Sequence, residues 1–509
     1  MEQRPPRARR RKTAPTPPPQ ARLAEALGLE GERMSRVDTA WLRMDSPVNL
    51  MMIVGVWILR PGITLEALRE RVRERLLPHR RFVQCAREDA TGAHWRNDPD
   101  FRLERHVVAR ALRPARGRTA EQALQARVAD LAMQPLDPAH PLWQFELVED
   151  HAGGSALIAR IHHCIADGIA LIRVMMSLVD GGDAPPARER PAAGQRHGLD
   201  AAEEWLADSL VRPLGSLTAR ALDLAGGGVA RSLDLLASPQ QGLSAGIDQA
   251  VDLARLGGQL VSDLGALALM PDDAPTRLKG QPAGRKHVAW CHPIPLDEVK
   301  AIGKGLNCSV NDVLLACVAG AIGGYLRAQG DDTRGQEIRA MVPVNLREQA
   351  DDGQLGNRFG LVPLVLPIGL ENPIERVYAV RERMNALKGS LQPLLTFGLL
   401  SVAGLLVKPA QDALLGLFGR KTTAVMTNVP GPATRLSLCG ATLEQLMFWV
   451  PQTGTVGLGV SILSYGGGVQ FGVIADSALC PEPQRIIDAF GPEFRSLLAI
   501  TLMLPWGAA

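Results

Sequence analysis

Residues 155–180 read SALIARIHHCIADGIALIRVMMSLVD, and the reading of this stretch decides the fold around it. A short apolar run, 156–161, leads into His162, His163, Cys164, Ile165, Ala166, Asp167 and Gly168, after which an apolar helical run resumes. That order is strand, tight turn, helix. Side chains alternate along a strand, so His162 and His163 point to opposite faces and cannot chelate one metal ion together. Only one imidazole then faces a site. With an ordinary pKa of about 6.5, a neutral imidazole accepts a proton near neutral pH, and the strand end fixes where it sits. The Asp167 carboxylate, four residues on, either orients the imidazole or pairs with a distant Arg and locks the turn. The plainer reading is a helix-capping Asp beside a core histidine. Gly168 lets the turn close tightly.

Length and composition bound what surrounds this stretch. A chain of 509 residues exceeds one ordinary core, which predicts two lobes with attachments. Apolar residues make up 46% and aromatics 4%, and the net charge is only +3, so no clustered basic surface with interleaved aromatics argues for nucleic acid. Cys85, Cys164, Cys291, Cys308, Cys317, Cys439 and Cys480 form no C-x-x-C pair and fit reduced thiols of a cytoplasmic protein. Cys164 has no oxyanion motif beside it, so packing is its expected role. The N-terminus lacks the apolar core of a secretion signal.

Residues 1–20, MEQRPPRARRRKTAPTPPPQ, carry six basic residues and six prolines, and residues 1–30 are expected to be a disordered basic tail. Such a tail either solubilises the chain or is drawn to anionic lipid. Residues 31–182 form the expected first lobe, with a helix and strand over 34–59 and a charged amphipathic helix over 64–77. In PLDPAHPLWQFE (135–146), prolines flank a bend, after which Leu142, Trp143 and Phe145 begin the strand that reaches the His turn through a hairpin at Gly153-Gly154. Residues 183–285 combine a Pro-rich linker with Leu-rich helical stripes that either pack on the body or lie in a membrane interface. The remainder, 286–509, is the second lobe. Within it, 309–330 is a helix whose Ser309 and Asp312 form a capping-box-like pair and whose Gly320, Gly323 and Gly324 permit close approach of a neighbouring backbone. A strand over 338–347 places Arg347 near a loop. Residues 391–407 predict a buried or interfacial helix, 427–432 (TNVPGP) a rigid turn, and 456–476 a hairpin bent at its glycines.

The His-His-x-x-x-Asp-Gly spacing resembles the HHxxxDG signature of chloramphenicol acetyltransferases, peptide-synthetase condensation domains and wax ester synthase/diacylglycerol acyltransferases. Several blocks, in order, resemble the last of these families. Ser35, Asp38, Ser46, Pro47 and Asn49 match its N-terminal "SPLDAxFLxxESPxNxMH" pattern, and residues 135–144 its "PLDxxxPLWE" block, with Gln144 in place of the acid. Asn311 to Ala316 is similar to "NDVVLA", 342–347 to "VPVNLR", Gly356 and Asn357 to "GNxFG", and 427–432 to "SNVPGP".

This resemblance implies an α/β fold of two chloramphenicol-acetyltransferase-like lobes, joined by a helical linker, with a tunnel between them. It implies an acyl-CoA-dependent O-acyltransferase making triacylglycerol or wax ester from diacylglycerol or a long-chain alcohol. The expected general base is His163, with His162 supporting and Asp167 and Gly168 shaping the turn. Pro141, Leu142, Trp143, Asn311, Asp312, Arg347 and Asn357 are expected to bind substrate or build the site. In relatives the Asp pairs with an Arg of a neighbouring strand, which makes Arg347 the expected partner of Asp167. No metal or cofactor is implied, acyl-CoA being a substrate, and the chain is expected in the cytoplasm, peripherally on membrane or lipid droplets. The rival readings are a carrier-protein-dependent condensation enzyme and a catalytically inactive lipid-binding relative.

Overall fold

A computed structural model describes residues 32–89, 92–182, 270–346, 355–387, 396, 400, 403 and 408–503. The basic tail, most of the 183–285 linker with its Leu-rich stripes, Arg347, and all but three residues of 391–407 lie outside the described residues. The first part of the chain runs β1 (Glu32–Arg33), α1 (Arg36–Arg43), β2 (Met52–Arg60), α2 (Leu65–Arg75), β3 (Gln84–Asp89), β4 (Gly92–Asn97), β5 (Val107–Ala109), α3 (Ala120–Ala132), β6 (Trp143–His151), β7 (Gly154–His162) and α4 (Gly168–Leu178). The second runs β8 (Lys286–Trp290), β9 (Ile294–Pro295), α5 (Leu296–Gly305), α6 (Val310–Ala328), β10 (Ile338–Asn345), β11 (Phe359–Leu366), α7 (Pro373–Leu387), α8 (Lys408–Lys421), β12 (Ala424–Pro430), β13 (Ser437–Leu438), β14 (Ala441–Trp449), β15 (Leu458–Tyr465), β16 (Gly468–Asp476) and α9 (Pro483–Met503). The two large sheets have the orders β13-β14-β2-β7-β6-β5 and β11-β10-β12-β15-β16-β8, with β9 beside β16, and a small third sheet has the order β1-β4-β3. The architecture is α/β with two sheet-centred lobes.

Local chemistry explains the elements that hold the site. Ser35 caps α1 by accepting the Asp38 N–H at 3.0 Å. β2 reads MIVGVWILR without alternation because both of its faces are covered. Ile53, Trp57 and Leu59 enter the first core, while Met52, Val54, Val56 and Ile58 pack in a second cluster with residues of α3. The β6–β7 hairpin turns on Ala152 (φ 51°) and Gly153 (φ 79°), one residue earlier than expected. Two positive φ values in sequence match the right-handed twist of the flanking strands. Gly154 already lies in β7, where a Cβ would sit 2.1 Å from the Leu59 carbonyl oxygen.

In α6 both capping-box bonds form: Ser309 Oγ accepts the Asp312 N–H at 3.2 Å, and Asp312 accepts the Ser309 N–H at 2.8 Å. Of the backbone approaches expected at Gly320, Gly323 and Gly324, that at Gly323 is present, where an added Cβ would sit 2.1 Å from the Ile368 carbonyl oxygen; at Gly320 it would meet the Arg376 guanidinium at 2.4 Å, and at Gly324 an Arg327 side-chain nitrogen at 4.0 Å. Although α6 is long and apolar enough to cross a bilayer, it is buried in the core of the second lobe, among residues of α5, β10, β12, β15, β16 and α9.

Two expectations are corrected. Thr427 to Pro430 is no turn but the end of β12, paired in parallel with β15 from Thr427 opposite Ser461 to Pro430 opposite Ser464. A proline at a strand end leaves no ladder donor missing. Nor do all strands of 286–509, the expected second lobe, stay in that lobe's sheet: β13 and β14 leave it, and β14 pairs antiparallel with β2, Trp449 opposite Val54. The two lobes are thereby stitched by the chain itself, and the space between them is walled by both.

Candidate active site

The strand β7 ends at His162, so His163 opens a turn rather than continuing the strand, a turn closed by the Ile165 N–H to the His162 carbonyl at 3.0 Å. The two histidines still diverge. The His163 main chain is clamped on both sides, its N–H donating to the Met51 carbonyl at 2.7 Å and its carbonyl accepting Asn357 Nδ2 at 2.7 Å. Its ring stacks on Trp41, with centroids 4.1 Å apart and 14° between planes, and packs against Phe359 at 5.5 Å. Burial pushes its pKa down to about 4, against the opposing pull of the Asp167 charge. The imidazole is therefore neutral across the physiological range. Nδ1 is shut away from open space with no hydrogen-bond partner among the described residues, so a reactant reaches this ring through Nε2.

His163 lines a cavity of about 390 Å³ between the lobes, with walls that include Trp41, Gly168, Phe359, Thr427 and Asn428. His162 does not line it. Its Nδ1 accepts the Cys164 N–H at 3.2 Å, which puts the ring proton on Nε2, 3.3 Å from Asp45 Oδ1. That Asp45 oxygen accepts the Met51 N–H at 2.6 Å, so His162 stands beside the carboxylate that fixes the residue before β2. Cys164 is wholly buried in the first core, as expected of a packing residue.

Of the readings left open, the helix cap is formed by Asp167. Oδ1 accepts the Ala170 N–H at 2.9 Å and caps α4, Oδ2 accepts the Arg358 N–H at 2.9 Å, and its own N–H donates to the Gly356 carbonyl. One carboxylate thus ties the helix after the His turn to residues 356–358 of the other lobe. Its expected partner Arg347 lies outside the described residues. Gly168, the first residue of α4, borders the cavity, and a Cβ there would meet nothing within 4 Å.

The remaining expected residues divide by position. Asn357 is buried and donates to Asp38 Oδ1 from both its main-chain N (3.0 Å) and its Nδ2 (2.7 Å), while the same Nδ2 holds His163. Burial raises the Asp38 carboxyl above its ordinary range, opposed by Arg81 and by these Asn357 bonds. Asn311 lies one layer behind the wall: its Oδ1 accepts Nδ2 of the cavity residue Asn428 at 3.0 Å, and Asp312 is occupied in the helix cap. Pro141, Leu142 and Trp143 do not reach the cavity. The Leu142 carbonyl accepts the His162 N–H, and Trp143 is a core residue whose Nε1 donates to the Phe82 carbonyl at 2.9 Å.

Trp41, Phe359 and Asp38 were missed as site residues. A signal for two of them was present, because Asp38 and Trp41 stand three apart on α1 and share a helix face. Of the 391–407 segment, Thr396, Leu400 and Ala403 are described as helical and line the cavity, with Thr396 Oγ1 accepting the Leu361 N–H at 2.7 Å.

Comparison with known proteins agrees with this geometry. Residues 34–314 match the wax ester synthase/diacylglycerol acyltransferase catalytic domain, and residues 355–498 the WS/DGAT C-terminal domain. A Mycobacterium tuberculosis (strain ATCC 25618 / H37Rv) protein named "Probable diacyglycerol O-acyltransferase tgs1" is 27% identical over 480 residues, 92% of this chain and 96% of the relative. The solved wax ester synthase/diacylglycerol acyltransferase from Marinobacter aquaeolei VT8 superposes with a TM-score of 0.62 at 19% identity, covering 93% of this chain and all of that one. The first condensation domain of the calcium-dependent antibiotic synthetase superposes at 0.55 and 15% identity, covering 93% of this chain and 96% of that one. With its two halves matched in order and the His turn at the cavity they enclose, this chain belongs to the wax ester synthase/diacylglycerol acyltransferase family of O-acyltransferases.

Proposed function

We propose that the chain transfers a long-chain acyl group from acyl-CoA to the hydroxyl of diacylglycerol or a long-chain alcohol, with His163 as general base. The observation that carries this reading is a neutral, buried imidazole fixed at its main chain and its ring face, on the wall of a largely apolar cavity. As the acceptor oxygen attacks the thioester carbonyl, Nε2 takes the hydroxyl proton, the new C–O bond forms and the C–S bond breaks. The proton then passes to the departing CoA thiolate. Neither an acyl-enzyme nor a separate base is needed. An imidazolium formed in this step is favoured by the Asp167 charge, which already opposes the effect of burial on the resting ring. The naming of the mycobacterial relative favours diacylglycerol as acceptor.

The test is direct. Purified protein is given palmitoyl-CoA with diolein or hexadecanol, and free thiol and lipid ester are measured together. Acceptor-dependent thiol release with matching ester is expected, and His163→Ala lowers turnover by about 10²- to 10⁴-fold while remaining folded. Undiminished turnover in that variant refutes the base assignment.

A further inference from the structure

We propose that a narrow apolar branch of the catalytic cavity, beneath α4, receives the end of one unbranched alkyl chain, and that Gly55 and Ala159 set how long that chain is. The proposal rests on the acyl-transfer reading above. The branch holds about 70 Å³ and shares Gly168, Ile172, Val429 and Phe448 with the main cavity, so the two spaces adjoin beside the His turn. Its floor is the first sheet. Gly55 on β2 is the register partner of Ala159 on β7 and of Phe448 on β14, and it shares a strand face with Ile53 and Trp57. Its roof is α4, where Leu171, Met175 and Met176 face it, Met176 lying about 12 Å along the helix axis from Gly168.

Two observations show that this hollow is kept open rather than left over. Protein interiors are close-packed, with few voids larger than a water molecule, and the Trp57 indole is the one polar-bearing side chain among the described residues lining the branch, too few partners to hold a water there. Gly55 also has no local reason to be glycine. A Cβ built on it comes no closer than 3.7 Å to any neighbour, an ordinary contact, and its φ is not positive. Glycine in a strand interior weakens the strand and marks a place where something else approaches. Here the freed space is the branch. At the junction a Cβ on Gly168 likewise meets nothing within 4 Å. A plain hydrocarbon end suits the branch, whereas the ester oxygens of a diacylglycerol suit the main cavity, where Thr427 and Asn428 stand.

An alkyl end has two sources, the acyl donor and a long-chain alcohol, and the experiment separates them. Gly55→Val and Ala159→Leu are assayed in two arms. One compares palmitoyl-CoA with octanoyl-CoA at a fixed acceptor, the other hexadecanol with octanol at a fixed donor. Each methylene denied the branch costs about fourfold in kcat/KM, so the long-to-short ratio falls at least tenfold in one arm. The arm that moves identifies the chain. Met176→Ala enlarges the space and shifts the same ratio toward long chains, which keeps the test decisive if a filling variant does not fold. Unchanged ratios in both arms, with thermal midpoints kept or raised by cavity filling, overturn the proposal. A wild-type protein that releases no thiol from palmitoyl-CoA with any acceptor counts instead against the acyl-transfer reading itself.

Discussion

Removing the His163 imidazole should change how stability depends on pH, not only its level. Burial holds this ring at a pKa of about 4 against 6.5 in the unfolded chain. Between those values the unfolded state binds more protons than the folded one, so the group's contribution falls as pH drops below 6.5 and is level above it. At 1.36 kcal/mol per pH unit, the full interval is worth about 3 kcal/mol, and the part crossed by pH 5 about 2 kcal/mol. The assay is urea unfolding of wild type and His163→Gln at pH 7.5 and pH 5.0. The loss of packing in the variant is common to both pH values and cancels, as do the carboxylates the two proteins share. Wild type should therefore lose about 2 kcal/mol more than the variant on acidification. In the same preparations the acid limb of wild-type kcat/KM should lie near pH 4, leaving the profile flat from about pH 5.5 upward. Parallel stability profiles would show that the ring is not held neutral by burial. A wild type that gains on acidification would mean an imidazolium locked to Asp167, and a kinetic limb near 6.5 would remove this ring as the base.

Trp41→Ala removes the stacked face and leaves a cavity beside His163, so it should cost about 3–5 kcal/mol and lower kcat, with Trp41→Phe retaining much of both. Equal kcat in wild type and a folded Trp41→Ala protein would show that the stack does not position the imidazole. Asp167→Asn keeps one acceptor oxygen but turns an amide N–H toward the Ala170 or the Arg358 N–H, for an expected loss of about 1–3 kcal/mol together with activity. A variant as stable as wild type yet inactive would point to direct orientation of the imidazole instead. Deleting residues 1–20 should weaken the salt-sensitive part of binding to anionic vesicles, the tail carrying six basic residues. Sedimentation with vesicles that is unchanged at low salt would exclude the tail as the attracting element.

What the sequence determined by itself was what neighbouring residues decide among themselves. The strand–turn–helix at 155–180, the capping box of Ser309 and Asp312, and the two-glycine bend of the β15–β16 hairpin are short-range events, and their residue types and spacing are written contiguously. The divergence of His162 and His163 was legible for the same reason. The site around that turn was legible only in part, because its other members arrive from distant segments. Trp41 reaches His163 because α1 packs across the end of β7, and Asn357, 194 residues from His163, reaches it only when the second lobe closes on the first. Asp167 showed the limit most clearly. Its sequence position allowed a cap, an orienting group or an ion pair, and only the tertiary structure brought the Arg358 amide of the second lobe to the carboxylate that caps α4. The path of β14 was likewise beyond the sequence, since an apolar strand is satisfied by either sheet and its partner is chosen by register against β2. Tertiary structure also decided where nothing is packed: a glycine in β2 reads as a weak point of a strand until the space beside it proves to adjoin the cavity that His163 lines.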